Sequence, residues 1–259
     1  MKLSALLSLT ERPFRALVLV GAVALAAPQV QAALIGNYQL NGSLADSLGG
    51  NALTANGGVL GASEYTFAAN QGLTLTGTGL ANQGEYSIEM RVRLNSLTSD
   101  YASPWIKLID FKNLTSDSGL YSYDGDGNPS GSIVQFYPIG GTADSFTPNE
   151  YANVVITRDG TTKEVVTYVE GFGQFSFIDG GDQAVFSSNV MHFMMDDAAT
   201  SFGEAGSGSL DYIRIYNTAL TGNEVVNLPA VPDAASTMGL LGLALAALAG
   251  VRRKFAFRG

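Results

Sequence analysis

EYSIEMRVRL, residues 85–94, alternates without interruption: Tyr86, Ile88, Met90, Val92 and Leu94 stand against Ser87, Glu89, Arg91 and Arg93. Successive side chains of a strand point to opposite faces, so this period of two predicts a β-strand with one face buried and one wet. Shorter runs of the same kind occur at 34–40, 65–69, 73–76, 105–111, 133–137, 154–157, 165–169, 175–178, 190–195 and 210–216. Clusters of Gly, Asn, Asp and Ser separate most of them, the punctuation of a sandwich or jelly roll. No helical period of useful length precedes Thr218, and Thr221-Gly-Asn-Glu224 then fits a capping box for one short helix. The predicted class is all-β, a jelly-roll sandwich over residues 33–229.

Composition narrows what such a domain can do. Setting aside Lys2, Arg12, Arg15, Arg252, Arg253, Lys254, Arg258, Glu11 and Asp233, which belong to the two ends, 7 basic residues face 21 acidic ones, about −14. That charge repels nucleic acid and anionic membrane surfaces and makes calcium a credible partner. The chain has no cysteine, so disulfides, thiolate metal sites and cysteine nucleophiles are excluded, and its one histidine, His192, nearly excludes a histidine-based zinc site.

Both ends read as targeting segments. A basic leader, MKLSALLSLTERPFR, precedes an apolar stretch at 16–27, and Val30 and Ala32 stand at the −3 and −1 positions of a cleavage site. This predicts a secretory signal peptide over 1–32, removed by signal peptidase after export. At the other end VPDAAST (231–237) leads into MGLLGLALAALAGV and then Arg252-Arg253-Lys254. The 18 uncharged residues of 234–251 reach about 27 Å as a helix, just adequate to cross a bilayer. The basic cluster should stay in the cytoplasm and leave everything before it outside.

Two resemblances build on these residues. Val231-Pro232-Asp233, a glycine- and leucine-rich helix and the cluster Arg252, Arg253 and Lys254 resemble the Val-Pro-Asp variant of the PEP-CTERM sorting signals over 231–259. That resemblance implies recognition by an exosortase-type protease at the inner membrane, loss of the helix, and delivery to the surface or extracellular matrix of a Gram-negative bacterium. YQLNGSLADSLGG (38–50), YSIEMRVRL (86–94), YANVVITRDG (151–160) with VTYVEG (166–171), and GSLDYIRIYNTALTGNEV (208–225) resemble, in order, segments of the LamG-like, concanavalin A-like jelly roll. The family is functionally mixed, so the likeness implies a fold and not an activity.

Constellations for chemistry are sparse. A glycosidase needs two carboxyls across the scissile bond. The nearest strand pair, Glu85 and Glu89, lacks a third partner and reads as a solvated face. A serine triad would need His192, which stands among Met191, Phe193, Met194 and Met195 as core and edge histidines do; GSGSL (206–210) resembles a nucleophile elbow only in letters. For calcium, Asp124, Asp126 and Asn128 begin like an EF-hand loop, but Pro129 and Gln135 stand where the glycine and the bidentate glutamate belong. Asp196 and Asp197 repel each other, a cost relieved by a nearby cation. The concanavalin A-like resemblance adds Asp46 and Asp211 as the acids matching a structural calcium near the chain ends. Tyr101, Trp105, Tyr121, Tyr123, Phe136 and Tyr137 could stack on sugar rings, although aromatic residues more often pack a core, Trp105 above all.

The sequence therefore predicts an exported cell-surface or matrix protein whose jelly roll is non-catalytic and serves a structural or interaction role. The alternatives are a carbohydrate-binding module for extracellular polysaccharide and, after it, a glycosidase. Calcium is the one cofactor with a candidate place, and no catalytic residue is assigned. Hydrolysis of β-glucan, xylan, alginate or agar is not expected.

Overall fold

The computed structural model describes residues 32–125 and 131–229, with the backbone alone over 142–145. The strands in chain order are β1 (Leu34–Tyr38), β2 (Thr54–Ala55), β3 (Val59–Leu60), β4 (Tyr65–Phe67), β5 (Leu73–Thr76), β6 (Tyr86–Leu94), β7 (Trp105–Asp110) and β8 (Gly119–Tyr123). They continue as β9 (Ser132–Tyr137), β10 (Gly140–Phe146), β11 (Tyr151–Arg158), β12 (Glu164–Val169), β13 (Phe172–Ile178), β14 (Val190–Phe193) and β15 (Gly208–Tyr216), before the helix α1 (Gly222–Val226). All pairings are antiparallel. The first sheet runs β13-β12-β11-β6-β15-β4-β3, with β1 also beside β15, and the second runs β10-β9-β8-β7-β14-β5-β2.

The two sheets bury their facing side chains in one core. Ile88, Met90, Val92, Val154, Ile156, Leu210, Ile213 and Ile215 come from the first, and Leu73, Leu75, Ile106, Leu108, Leu120, Val134, Phe136, Met191 and Phe193 from the second. Antiparallel sheets that each bury one face settle their register by this alternation, because a one-residue slip would turn every apolar group outward. Tyr86, Phe111, Phe136, Phe177 and Phe186 link into a run of ring contacts with centroids 4.6 to 6.1 Å apart. Between β12 and β13, Glu170 and Gly171 both have positive φ (51° and 79°), the two-residue turn whose twist suits a hairpin.

Most expected strands are present, within a few residues of their predicted ends. The sequence reading misses β2, β3, β8 and β10. GLYSY (119–123) opens on glycine, and GGTADSF (140–146) reads as a turn; cross-strand neighbours overrode these local preferences. The expected capping box at Thr221 and Glu224 is present at the start of α1.

One expectation about β6 is corrected. Glu89 is not on a solvated face: it is 3 % exposed. Tyr212 Oη donates to it at 2.8 Å and Arg214 Nη1 approaches at 3.1 Å. Val155, Tyr168, Tyr216, Leu220 and Val225 form a second small cluster on this outer side, with Leu228 packed against it, so α1 and the following turn roof the middle of the sheet. Arg214 Nη1 also donates to Pro229 O at 2.9 Å, holding the chain to the sandwich at the last described residue.

The expected signal peptide (1–32) lies, but for Ala32, outside the described residues. So does the sorting segment (231–259), with Val231, Pro232, Asp233, Arg252, Arg253 and Lys254. Among the described residues no helix is long and apolar enough to cross a membrane.

Candidate functional site

The outer face of the second sheet carries the chemistry. In β7 the register shifts between Lys107 and Ile109, and this bulge brings Lys107 and Asp110, three residues apart, onto one side. Lys107 is fully buried, and its ammonium contacts Asp197 Oδ2, with Asp110 Oδ2 at 3.6 Å and Asp196 Oδ1 at 3.7 Å. Gly119, opposite on β8, leaves the room: a Cβ there would stand 3.1 Å from Lys107 Cε and 2.9 Å from Ile109 O. An ammonium offers three donors, and three carboxylates surround this one.

The remaining lone pairs are spoken for locally, with two exceptions. Asp110 Oδ1 accepts from Lys112 N and Leu114 N, and Asp196 Oδ2 accepts from Thr200 Oγ1 and Glu204 N. Asp110 Oδ2 and Asp196 Oδ1 are buried without a hydrogen-bond partner and have only the Lys107 charge. Two further acids stand close by, both half-buried. Burial, then the charges of Asp117 and Asp196, push the Glu204 carboxyl up to about 7. Burial raises Asp117 and Asp110 as well.

Beside the acids lies an aromatic cluster, its rings tilted or edge-on to one another: Trp105 lies at 38° to Tyr123 and 81° to Tyr137. Trp105 pairs with Tyr123 across β7 and β8, ring centroids 4.1 Å apart, and meets Tyr137 at 5.7 Å. Tyr121 joins the two halves of the face. It is edge-on to Trp105 at 5.4 Å, carries the Lys107 ammonium 5.0 Å from its ring centre, and donates from Oη to Asp117 Oδ1 at 2.8 Å. Tyr137 is 37 % exposed, and Trp105 and Tyr123 are half-buried.

Trp105 does not pack the core; it is on the outer face because Ile106 and Leu108 take the inward positions of β7. Phe136 is in the core as expected, and Tyr121 is buried on the platform side of β8. Tyr101 is exposed in the loop before β7. Asp196 and Asp197 do stand together, but their charge is met by Lys107, so their adjacency needs no metal. Asp46 caps a local turn, accepting from Asn37 N, Leu48 N and Gly50 N, while Asp211 pairs with Arg91 on the first sheet; these two acids are not brought together. Asp124 precedes 126–130, where Asp126 and Asn128 lie outside the described residues. Among the described residues no group of three or more His, Cys, Asp or Glu side chains is arranged to hold a metal ion.

His192 is on this same face in an interior strand, β14 between β7 and β5, and is 7 % exposed. Asn113 Oδ1 can only accept, so Nε2 carries the proton and Nδ1 accepts from Thr74 Oγ1, each at 3.0 Å. Burial lowers it to about 4, which keeps the ring neutral at physiological pH.

Lys107, Asp110, Asp117 and Glu204 are singled out by no motif or spacing in the sequence. They come from β7, from the loop after it and from the segment before β15, and only the pairing of distant strands brings them together. The one hint was the unusual lysine within an apolar run, WIKLIDF.

Comparisons with known proteins agree with this architecture. Residues 67–226 match the concanavalin A-like lectin/glucanases superfamily, and residues 230–255 match the VPDSG-CTERM motif. In sequence, no curated protein matches the chain. Among solved structures, domain 4 of AbnA, a GH43 extracellular arabinanase from Geobacillus stearothermophilus in complex with arabinotriose, is similar at TM-score 0.55 and 18% identity, over 77% of this chain and 99% of that one. Trypanosoma rangeli sialidase is similar at TM-score 0.55 and 13% identity, over 75% of this chain but 32% of its own. The botulinum neurotoxin serotype D binding domain is similar at TM-score 0.52 and 14% identity, over 75% of this chain and 51% of that one. The likeness to these structures is one of fold, and this chain spans about a third of the sialidase and half of the neurotoxin domain. The chain belongs to the concanavalin A-like lectin/glucanases superfamily and ends in a VPDSG-CTERM motif.

Proposed function

We propose that this is an exported surface protein whose jelly roll binds extracellular polysaccharide through the outer face of its second sheet, without cleaving it. The observation that carries the reading is the Trp105–Tyr123–Tyr137 platform, three rings held on a rigid sheet outside the core. Flat rings beside polar groups suit the apolar faces of sugars, and a sheet fixes them at little entropic cost on binding. The arabinanase domain that shares the fold was solved with arabinotriose, which fits a glycan-binding use of this scaffold.

Export rests on the C-terminal motif, which suggests processing by a sorting system and delivery to the cell surface. Under this reading the leader over 1–32 is removed by signal peptidase and the apolar segment 234–251 holds the inner membrane until an exosortase-type protease releases the chain. Arg214 then positions Pro229 one residue ahead of the motif. A structural calcium at Asp124, Asp126 and Asn128 stays part of the proposal, tested by comparing melting in calcium and in chelator.

Hydrolysis is the second reading, and Glu204 is what favours it: a half-buried carboxyl raised to about 7 has the character of a general acid. The buried acids nearby are engaged with Lys107, which argues against a free nucleophile among them. A panel of oligosaccharides titrated against the purified protein and its Trp105→Ala variant tests the primary reading. Binding lost in the variant is expected. Equal binding by both proteins would overturn the platform, and reducing-sugar release abolished by Glu204→Gln would move the protein among the enzymes.

A further inference from the structure

The charge on the platform side is predominantly negative. Five carboxyl groups, those of Asp110, Asp117, Asp196, Asp197 and Glu204, gather around one cation, Lys107. Every other described basic side chain is engaged elsewhere. Arg91 pairs with Asp211, Arg93 with Glu64, Arg158 with Asp179, Lys163 with Asp182 and Arg214 with Glu89, while Lys112 reaches the carbonyls of Asp182 and Val185. Among the described residues, then, no second cation is free to meet a negatively charged sugar on this face.

Lys107 itself is out of reach. It is fully buried, its ammonium is enclosed by Asp110, Asp196 and Asp197, and Tyr121 lies over it. Within the cluster the negative excess is open to solvent only at Asp117 and Glu204, both half-buried and close to Tyr121, which is edge-on to Trp105. They are linked to the platform in two ways: Tyr121 Oη donates to Asp117 Oδ1, and Lys107 N donates to Glu204 O at 2.9 Å, two residues along the strand from Trp105. Deeper in the same cluster, the orphaned oxygens Asp110 Oδ2 and Asp196 Oδ1 show that acceptors here outnumber donors. Mutually repelling carboxylates gain when a cation arrives and lose further when an anion does.

We propose that the saccharide taken by the Trp105 platform belongs to the amine-bearing class, a 2-amino-2-deoxy sugar whose ammonium lies against Glu204 and Asp117, and that uronic-acid and sulfated glycans are excluded. This rests on the glycan-binding reading above and names its ligand. The raised Glu204 carboxyl agrees with it, since a neighbouring ammonium would favour the ionised form.

The test is a titration of the full purified protein with three probes: a glucosamine oligomer, its N-acetylated counterpart and a galacturonate oligomer of the same length. Measurements at neutral pH in low salt are repeated in high salt. The free-amine oligomer should bind about tenfold more tightly than the acetylated one, a difference of about 1.4 kcal/mol. High salt and the variants Glu204→Gln and Asp117→Asn should each erode that preference, because it is electrostatic and partly exposed. Trp105→Ala should lose both neutral and amine-bearing ligands alike. Equal affinity for amine and acetamide, a preference untouched by Glu204→Gln, or binding of the galacturonate would overturn the inference while leaving the platform intact. Failure of all three probes to bind would instead overturn the glycan reading on which it rests.

Discussion

On the outer face of the first sheet, Glu89 meets Arg214, takes hydrogen bonds from Tyr212 and Tyr216, and lies beneath α1 and the chain at Leu228–Pro229. On the outer face of the second, Lys107 meets three aspartates, two of whose oxygens stay without a hydrogen bond, and an open aromatic platform adjoins it. Both faces bury charge, yet the first is balanced and roofed and the second is over-supplied with acids and uncovered. A buried ion pair adds little net stability over an apolar packing, so a balanced, closed network needs only a structural explanation. The second network, over-supplied with acids beside half-buried rings, is the one on which the proposed glycan binding rests. The first face therefore needs only a structural account, and the glycan reading proposed above concerns the second.

The comparison breaks most readily at Lys107. Replacing it by methionine leaves three buried carboxylates without a cation, and loss of one partner of a buried pair is expected to cost about 3–5 kcal/mol. Urea unfolding at neutral pH measures it, and an unchanged midpoint would mean the ammonium does not hold this cluster. Arg214→Met should cost about 3 kcal/mol, and pairing it with Glu89→Leu should restore most of the loss, because the orphaned charge goes too. The double variant as unstable as the single one would contradict a purely structural network.

These are also the residues that sequence reading handles worst. Alternation along 85–94 is enough to place β6 in a sheet, and GSLDYIRIYNTALTGNEV announces β15 and the capped helix, because both signals are local. Alternation does not say what covers the polar face, and here α1 roofs Glu89. Nor does a single strand reveal that Asp110, Asp196, Asp197 and Glu204 converge on Lys107, since β14 intervenes between β7 and β5 from eighty residues away in the chain. Trp105 turns outward against expectation for a related reason: which face of β7 turns inward depends on Ile106, Leu108 and the bulge after Lys107.

Smaller effects sharpen the contrast. Trp105→Ala removes a half-buried ring and should lower stability by about 1 kcal/mol while abolishing ligand binding, a separation that a core residue would not allow. Glu204→Gln should change the pH dependence rather than the fold. Its carboxyl has an ordinary value of 4.5 and about 7 in the folded chain, so the native state holds the proton more tightly than the unfolded one. Its contribution is therefore full below pH 4.5 and falls as pH rises towards 7. Between these values stability of the parent should decline more steeply with pH than that of Glu204→Gln. A parent profile no steeper than the variant's would mean that neither burial nor the neighbouring acids raise this carboxyl.

Trp105 is the only tryptophan in the chain, which gives the central claim its own reporter. Titrating the purified protein with a glucosamine oligomer while following tryptophan emission should give a saturable shift, because the ligand would sit against the indole itself. The same titration followed by calorimetry should yield the same dissociation constant. Calorimetric binding with tryptophan emission unchanged to saturation would put the ligand elsewhere on the molecule and contradict the assignment of the second sheet's outer face as the glycan site.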